Sequence, residues 1–190
     1  HISDTHIGPS KDFALHGVNS FQGFQTVLSA IRTLPFKPDF IIHTGDIVAG
    51  PDETSYKLFA SMVADLQVPI YYVTGNHDDS KIVKKWLSFG EKDDLMEDKL
   101  VYSFTKNDQR FLVIDGRGPQ EIDPHGTISE EQFSIIEKQL TTNYQLPTTI
   151  FIHFPLLPID CTWIDRDMLL FEGEKLHALF VKHRTKIQGV

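Results

Sequence analysis

The chain has 190 residues, of which 41% are apolar, enough to bury one sizeable core in a single domain. Its formal net charge of −8 at pH 7 disfavours long DNA or RNA as a partner, and no apolar run approaches the length of a membrane span. Cys161 is the only cysteine, which excludes an internal disulfide and favours a reducing, cytoplasmic compartment.

Strands and helices alternate along the chain, which predicts sheets covered by helices. Apolar residues recur at helical spacing in two early segments, and Ser129 followed by Gln132 is a capping-box signature that opens a later helix. Residues 186–190 are predicted to begin a last strand, and Pro and Gly predict loops at 35–38 and 116–124. Helices are predicted over residues 21–34, 56–66, 80–89, 129–140 and 172–183.

Four short runs of β-forming residues each end in a cluster of Asp, His or Asn. The four runs with their clusters are residues 1–6, 40–46, 70–78 and 150–153. In α/β sheets, ligands gather at the carboxyl ends of strands, so these clusters are expected to converge. Carboxylates mixed with imidazoles suit one or two divalent cations. The predicted convergent side chains are those of Asp4, His6, Asp46, Asn76 and His153.

Each cluster has a simpler interpretation when it is taken alone. Asp46 and Asn76 both follow a glycine, where Asp and Asn are common turn formers. His153 is compatible with a core histidine, and His43, inside a predicted strand, is interpreted as structural. The occurrence of four such clusters in one chain favours the metal site over four unrelated explanations.

The order of the motifs is D-x-H at Asp4, G-D at Asp46, G-N-H-D over 75–78, and a lone His153 after a strand. This order resembles the calcineurin-like metallophosphoesterase superfamily, and within it the bacterial class III cyclic-nucleotide phosphodiesterases. The resemblance implies an α/β fold, a sandwich of two mixed β-sheets flanked by helices. The finer resemblance is carried by residues 2–6, 75–79, 111–115, 126–132 and 153–158.

The resemblance also implies roles for the motif residues. Asp4 and His6 are expected to bind one metal ion, and Asn76 and His153 a second, with Asp46 shared between the two. The implied cofactors are two divalent ions, Mn, Fe or Zn, whose bridging hydroxide attacks phosphorus.

The third motif also supplies the two expected catalytic residues. His77 is expected to stabilise the phosphoryl oxygens or to protonate the leaving oxygen, a catalytic role that leaves it outside the metal ligands. Asp78 is expected to hold the His77 ring in the right tautomer. Asp115, at another strand end, resembles a supporting position and not a ligand.

Members of that superfamily complete their metal site with a G-H-x-H motif just after a late strand. Residues 186–190 match the beginning of that strand, and Val190 is the last residue of the sequence. We therefore expect one metallophosphoesterase catalytic domain over residues 1–190, without its final G-H-x-H segment. A fragment of a longer protein is the preferred explanation, and a natural protein with an impaired site is the alternative.

The expected substrate is a small phosphodiester such as a 3′,5′-cyclic nucleotide. Residues after Asp46 lack the arginine of protein phosphatases of this superfamily, and the acidic charge disfavours a nuclease. Asn76, His77 and His125, the last in a loop bordering the site in similar enzymes, are expected to contact substrate. A phosphomonoesterase and a non-catalytic binding scaffold are the alternatives, and a homodimer is compatible with the sequence.

Overall fold

The computed structural model describes residues 1–117, 124–142 and 146–190. Its helices are α1 Ser20–Arg32, α2 Glu53–Val63, α3 Ser80–Trp86, α4 Glu130–Thr141, α5 Thr162–Asp167 and α6 Gly173–Lys182. Its strands are β1 Ala14–Leu15, β2 Val18–Asn19, β3 Ile41–His43, β4 Ile70–Tyr72, β5 Asp93–Asp94, β6 Tyr102–Lys106, β7 Gln109–Val113, β8 Thr148–Phe151 and β9 Ile187–Gly189.

The larger sheet is mixed and has the strand order β5-β6-β7-β8-β9. Strands β5 to β7 pair antiparallel, whereas β8 lies parallel to both β7 and β9. Because side chains alternate along a strand, Phe111 and Val113 of β7 face one core, and Leu112 faces the other. The sheet is therefore buried on both faces. Helices α4 and α6 pack over the face that carries Leu112.

The smaller sheet is the parallel pair β3-β4, in which Ile42 lies opposite Tyr71. The chain before β3 runs beside it through isolated bridges from Ile2 to His43 and from Ile7 to Val48. The short first strand that the sequence predicts around His1 is reduced to the bridge at Ile2, whose N–H and C=O bond to the main chain of Ile42 and Thr44. The backbone between the two bridges has positive φ angles that interrupt an extended conformation.

Aromatic side chains join the two sheets. The rings of Tyr71 and Phe104 stack with centroids 3.6 Å apart. The buried phenol of Tyr102 donates to the main-chain oxygen of Tyr72 at 2.8 Å and accepts from its N–H at 2.9 Å. Helices α1 and α2 cover the opposite side of the smaller sheet, where Phe24 stacks on Phe59. The predicted α/β fold, with sheets flanked by helices, is confirmed.

The five predicted helices are confirmed, with ends shifted by a few residues. The capping box at Ser129 is present in both directions, and β9 confirms the predicted last strand. The hairpin β1-β2 and α5 were missed because two-residue strands and a helix without buried residues leave no periodic pattern. Most of the predicted loop at 116–124 lies outside the described residues. Within those residues, no helix combines the length and apolarity needed to cross a bilayer.

Candidate metal centre

Asp46 lies at the centre of a cluster of carboxylates and imidazoles. Its Oδ2 atom is 3.6 Å from Nε2 of His6 and 3.7 Å from Nε2 of His153. Two groups of side chains present ligand atoms within 4.8 Å of one another, namely His6, Asp46 and His77, and Asp4, Asp46 and His153. Asp46 is common to both groups, as expected for a shared ligand.

The expected neighbours Asp4 and His6 lie together, with Oδ1 of Asp4 3.9 Å from Nε2 of His6. Asp4 also groups with Asp46 and His153, and His77, which was not expected among the ligands, groups with His6 and Asp46. The rings of His6 and His77 are edge to face, with centroids 4.8 Å apart. The buried Asn76 is held beside Asp46, because the N–H of the next residue donates to Asp46 Oδ1 at 3.0 Å. All five predicted ligands therefore lie at one end of the smaller sheet or beside β8.

Three of the predicted ligands have backbones in the left-handed region. The φ angles are +55° at Asp4, +42° at His6 and +53° at Asp46. Such conformations cost about 1–3 kcal/mol each and persist where surrounding contacts hold them. Here the two segments hold each other, since His6 N–H donates to Asp46 O and Asp4 N–H donates to Gly45 O, both at 3.0 Å.

Both motif glycines are required by close approach at this centre. A Cβ atom on Gly75 would lie 2.2 Å from Asp46 Oδ1, and one on Gly45 would lie 2.4 Å from Nδ1 of His153. Gly45 also has a φ of +111°, a backbone conformation that other residues rarely adopt. The G-D and G-N-H-D motifs therefore need glycine to bring their polar neighbours together.

Hydrogen bonds to main-chain carbonyls set the tautomers of two histidines. Nδ1 of His153 lies 2.8 Å from the oxygen of Thr44, and Nδ1 of His77 lies 2.9 Å from that of Ala49. A carbonyl only accepts, so each Nδ1 carries the proton and each Nε2 presents a lone pair. Metal-binding histidines are usually oriented in this way.

His6 is also suited to coordination. Burial lowers its pKa, against the opposing effect of the Asp46 carboxylate, and so favours the neutral ring that a metal ion requires. Its Nδ1 atom is buried and meets no hydrogen-bond partner among the described residues. The donor set at this centre therefore fits one or two divalent cations.

Asp78 does not form the predicted contact with the His77 ring, whose Nδ1 is bonded to Ala49 instead. Its buried carboxylate accepts from the N–H of Ile47 at 3.1 Å, from the N–H of Gly75 at 2.9 Å and from the hydroxyl of Tyr56 at 3.1 Å. These donors satisfy the buried carboxylate, and the N–H at Nδ1 of His77 is already used by the oxygen of Ala49. Asp78 thus ties the segment after Asp46 to the turn before Asn76.

The balance between burial and hydrogen bonding governs the ionisation of Asp78. Burial raises its pKa to about 7, although the N–H donors act in the opposite direction. Tyr56, which completes this arrangement, also accepts from Asp79 N–H at 2.9 Å. No sequence motif pointed to Tyr56, because a buried aromatic residue on a helix is read as core.

Asp115 supports the other side of the same turn. Its carboxylate is fully buried and accepts from the hydroxyls of Thr74 and Ser80 and from Leu100 N–H. Thr74 directly precedes the G-N-H-D motif and Ser80 begins α3, so Asp115 connects both ends of that motif to β7. It is in neither group of candidate ligands, in line with the supporting position expected from the sequence.

His125 is engaged away from the candidate ligands. Its Nδ1 lies 3.1 Å from the oxygen of Leu169, and its ring stacks on Phe171 with centroids 4.5 Å apart. These contacts hold it against the segment before α6. Its predicted contact with substrate stays a prediction.

His43 lies fully buried behind the metal centre and is neutral. Its Nδ1 accepts from Gly45 N–H at 3.3 Å, so its protonated Nε2 faces the hydroxyl of Thr5 at 2.9 Å. Burial lowers the pKa of His43 to about 3, with smaller contributions in the same direction from His153 and His6. The predicted structural role of His43 agrees with these contacts.

The depressed pKa of His43 predicts a loss of stability in acid. Between pH 6.5 and pH 3 the unfolded chain takes up a proton at this residue that the folded chain rejects, so the free energy of unfolding falls as pH falls. The loss begins at about pH 6.5 and reaches about 2 kcal/mol at pH 5. Urea denaturation of the chelator-treated protein at pH 7 and pH 5 measures it.

A matched pair of variants isolates this contribution. His43→Gln should show a smaller difference between pH 7 and pH 5 than the original chain. His177→Gln, which removes an exposed histidine from α6, should keep the original difference. An unchanged pH dependence in His43→Gln would show that other groups dominate acid unfolding.

The fold and this geometry define an α/β protein that gathers carboxylates and imidazoles at one end of its strands, in an arrangement suited to divalent cations. The sequence model of the calcineurin-like phosphoesterase family matches residues 1–180. The chain belongs to the calcineurin-like phosphoesterase family. The family resemblance seen in the order of the motifs is thereby confirmed.

The chain is also similar to several phosphodiesterases. The 3′,5′-cyclic adenosine monophosphate phosphodiesterase CpdA of Escherichia coli is 31% identical over 173 residues, 91% of this chain and 60% of that protein. The probable glycerophosphodiester phosphodiesterase GpdQ of Arcobacter nitrofigilis is 31% identical over 182 residues, 96% of this chain and 66% of that protein. This chain therefore spans about two thirds or less of the length of these relatives.

Proposed function

We propose that this protein hydrolyses small phosphodiesters, such as 3′,5′-cyclic nucleotides, with divalent cations held around Asp46. The observation that carries the proposal is the sharing of Asp46 between two groups of ligand atoms. Two neighbouring cations repel each other, and an anionic ligand common to both reduces that repulsion. The names of the related proteins, which refer to cyclic nucleotides and glycerophosphodiesters, support a diester substrate.

The residues that would hold the cations are those that the sequence singled out. They are Asp4, His6, Asp46, Asn76 and His153. Imidazole donors favour Mn, Fe or Zn over Mg or Ca. When bound, such cations polarise the phosphate ester and make water in the site more acidic.

His77 is the proposed proton donor to the leaving oxygen. The bond from its Nδ1–H to Ala49 fixes the ring, and Nε2 can take up a proton and pass it to the leaving oxygen. Asp78 is proposed to position the ligands. Its hydrogen bonds from Ile47 and Gly75 hold together the two segments on which Asp46 and Asn76 lie. Asn76, His77 and His125 are proposed to contact the substrate.

Three further features belong to the proposal. Residues 1–190 form a single catalytic domain, the sole cysteine favours the cytoplasm, and a homodimer is compatible with the sequence. Sedimentation analysis measures the oligomeric state directly.

Hydrolysis of bis(p-nitrophenyl) phosphate by the metal-stripped protein tests the function. Adding Mn²⁺, Fe²⁺ or Zn²⁺ should restore release of p-nitrophenolate, because the cations complete the site. The monoester p-nitrophenyl phosphate should react more slowly than the diester. A faster monoester would favour a phosphomonoesterase. No turnover with any of the three metals would mean that the site of this chain is incomplete, and the binding scaffold would be favoured only if a longer chain with a G-H-x-H motif were also inactive.

A further inference from the structure

A cavity of about 410 Å³ opens beside the metal centre, between the hairpin β1-β2 and α1. This volume is within the range of roughly 300–1,000 Å³ typical of small-molecule sites. Asp4 and His6 line the cavity, so it is continuous with the candidate metal ligands. His77 and His153 are not among the described residues that line this cavity.

The remaining lining combines apolar and polar side chains. Leu15 and Val18 of the hairpin and Phe24 and Val27 of α1 are apolar, and the polar lining residues are Ser3, Thr5, His16, Asn19 and Ser20. Phe24 is 3% exposed and belongs to the core, whereas Val18 and Val27 are 67% and 40% exposed. Exposed apolar side chains next to polar groups are typical of a small-molecule site, in which the polar groups orient an apolar ligand.

The hairpin that carries this wall has a tight and defined turn. Leu15 pairs with Val18, and the two residues between them, His16 and Gly17, have φ angles of +50° and +81°. Positive φ at both central residues is typical of a type I′ turn, which matches the twist of the flanking strands. Val18 therefore follows directly on a defined turn that places it at the cavity.

We propose that this cavity binds the organic group that stays on phosphorus, and that it selects flat or apolar groups of nucleobase size over small polar ones such as glycerol. The proposal rests on the proposed function and adds the substrate class. Cations held by Asp4 and His6 would attract the phosphate to this end of the cavity, so that one of its two substituents could enter the cavity. His77, which serves the leaving oxygen, lies outside it, so the substituent in the cavity is the one that is retained.

Two diesters with the same leaving group test this proposal. In thymidine 5′-(p-nitrophenyl) phosphate the retained group is a nucleoside, and in methyl p-nitrophenyl phosphate it is a methyl group. Val27→Gln should lower kcat/KM for the nucleoside ester roughly tenfold and leave the methyl ester unchanged, since lost apolar contact affects only the group in the cavity. Val18→Thr, which keeps a β-branched residue in the strand, should act in the same direction.

Val181→Gln is the matched control, because Val181 is 45% exposed on α6 and does not line this cavity. Its preference between the two diesters should equal that of the original chain. Two outcomes would overturn the proposed selectivity. In one, Val27→Gln and Val18→Thr leave the ratio of kcat/KM for the two diesters unchanged. In the other, kcat/KM falls equally for both diesters.

Binding of thymidine 5′-monophosphate, measured by titration calorimetry, separates this proposal from the proposed function. If neither diester is hydrolysed, the phosphodiesterase proposal fails, but the cavity still predicts roughly tenfold weaker binding of the nucleotide by Val27→Gln. Equal binding by both chains, or no binding at all by the original chain, would overturn the cavity proposal on its own.

Discussion

Asp46→Asn is expected to lower metal-dependent hydrolysis of bis(p-nitrophenyl) phosphate by about 10³-fold or more. The substitution removes the only charge that both groups of ligand atoms share, while keeping the shape of the side chain. A divalent cation contributes several kcal/mol to stabilising charge in the transition state, and about 4 kcal/mol corresponds to a thousandfold change in rate. Steady-state rates at saturating Mn²⁺ measure the effect.

Metal content gives a second and independent readout for Asp46→Asn. Because Asp46 is common to both groups, the variant should lose affinity for both cations, whereas a change at Asp4 or His153 should weaken one group first. Asp65→Asn, a change in an exposed ion pair with Arg32, is the control and should keep both rate and metal content. A variant at Asp46 that retains both ions and most of its turnover would show that the shared-ligand arrangement is wrong.

The fold was predictable where local signals agree with tertiary packing. The capping box at Ser129 depends only on neighbouring residues, and both of its hydrogen bonds form. Strands β3 and β4 are buried on both faces, so their sequences are uninterrupted apolar or aromatic runs that predict buried strands. The hairpin and α5 were missed because they bury too little apolar surface to leave a pattern in the sequence, and β5 and β6 were not predicted either.

The residues of the site were predictable because the carboxyl ends of the strands converge. The backbone at Asp4 and His6 was not, since both follow a β-forming run and adopt left-handed conformations that the run does not indicate. These conformations depend on hydrogen bonds to Gly45 and Asp46, more than thirty residues away, which no local pattern reveals.

The partners of the site residues were the least predictable part. Ala49 and Thr44 orient two histidines through main-chain oxygens, and every residue has such an oxygen. Asp78 was expected beside the His77 ring because the two are adjacent in sequence. Residues 75–78 instead form a turn in which Asp78 N–H donates to Gly75 O at 3.3 Å, and the Asp78 carboxylate reaches the N–H groups of Ile47 and Gly75.

His77→Gln should lower kcat by about 10²–10⁴-fold for substrates with a poor leaving group, the usual contribution of a general acid. A cyclic nucleotide releases an alkoxide, which needs a proton as the bond to phosphorus breaks. Bis(p-nitrophenyl) phosphate releases p-nitrophenolate, which is stable without one. The loss should therefore be much larger for 3′,5′-cyclic adenosine monophosphate than for the nitrophenyl diester.

The same variant distinguishes a proton donor from a metal ligand, because His77 lies within ligand distance of His6 and Asp46. As a proton donor, His77 can be replaced without loss of bound metal, and the rate falls in proportion to the basicity of the leaving group. As a ligand, it would take one cation with it, and both substrates would slow equally. Metal analysis beside the two kcat values decides between these outcomes, and His177→Gln, at an exposed position on α6, should change neither.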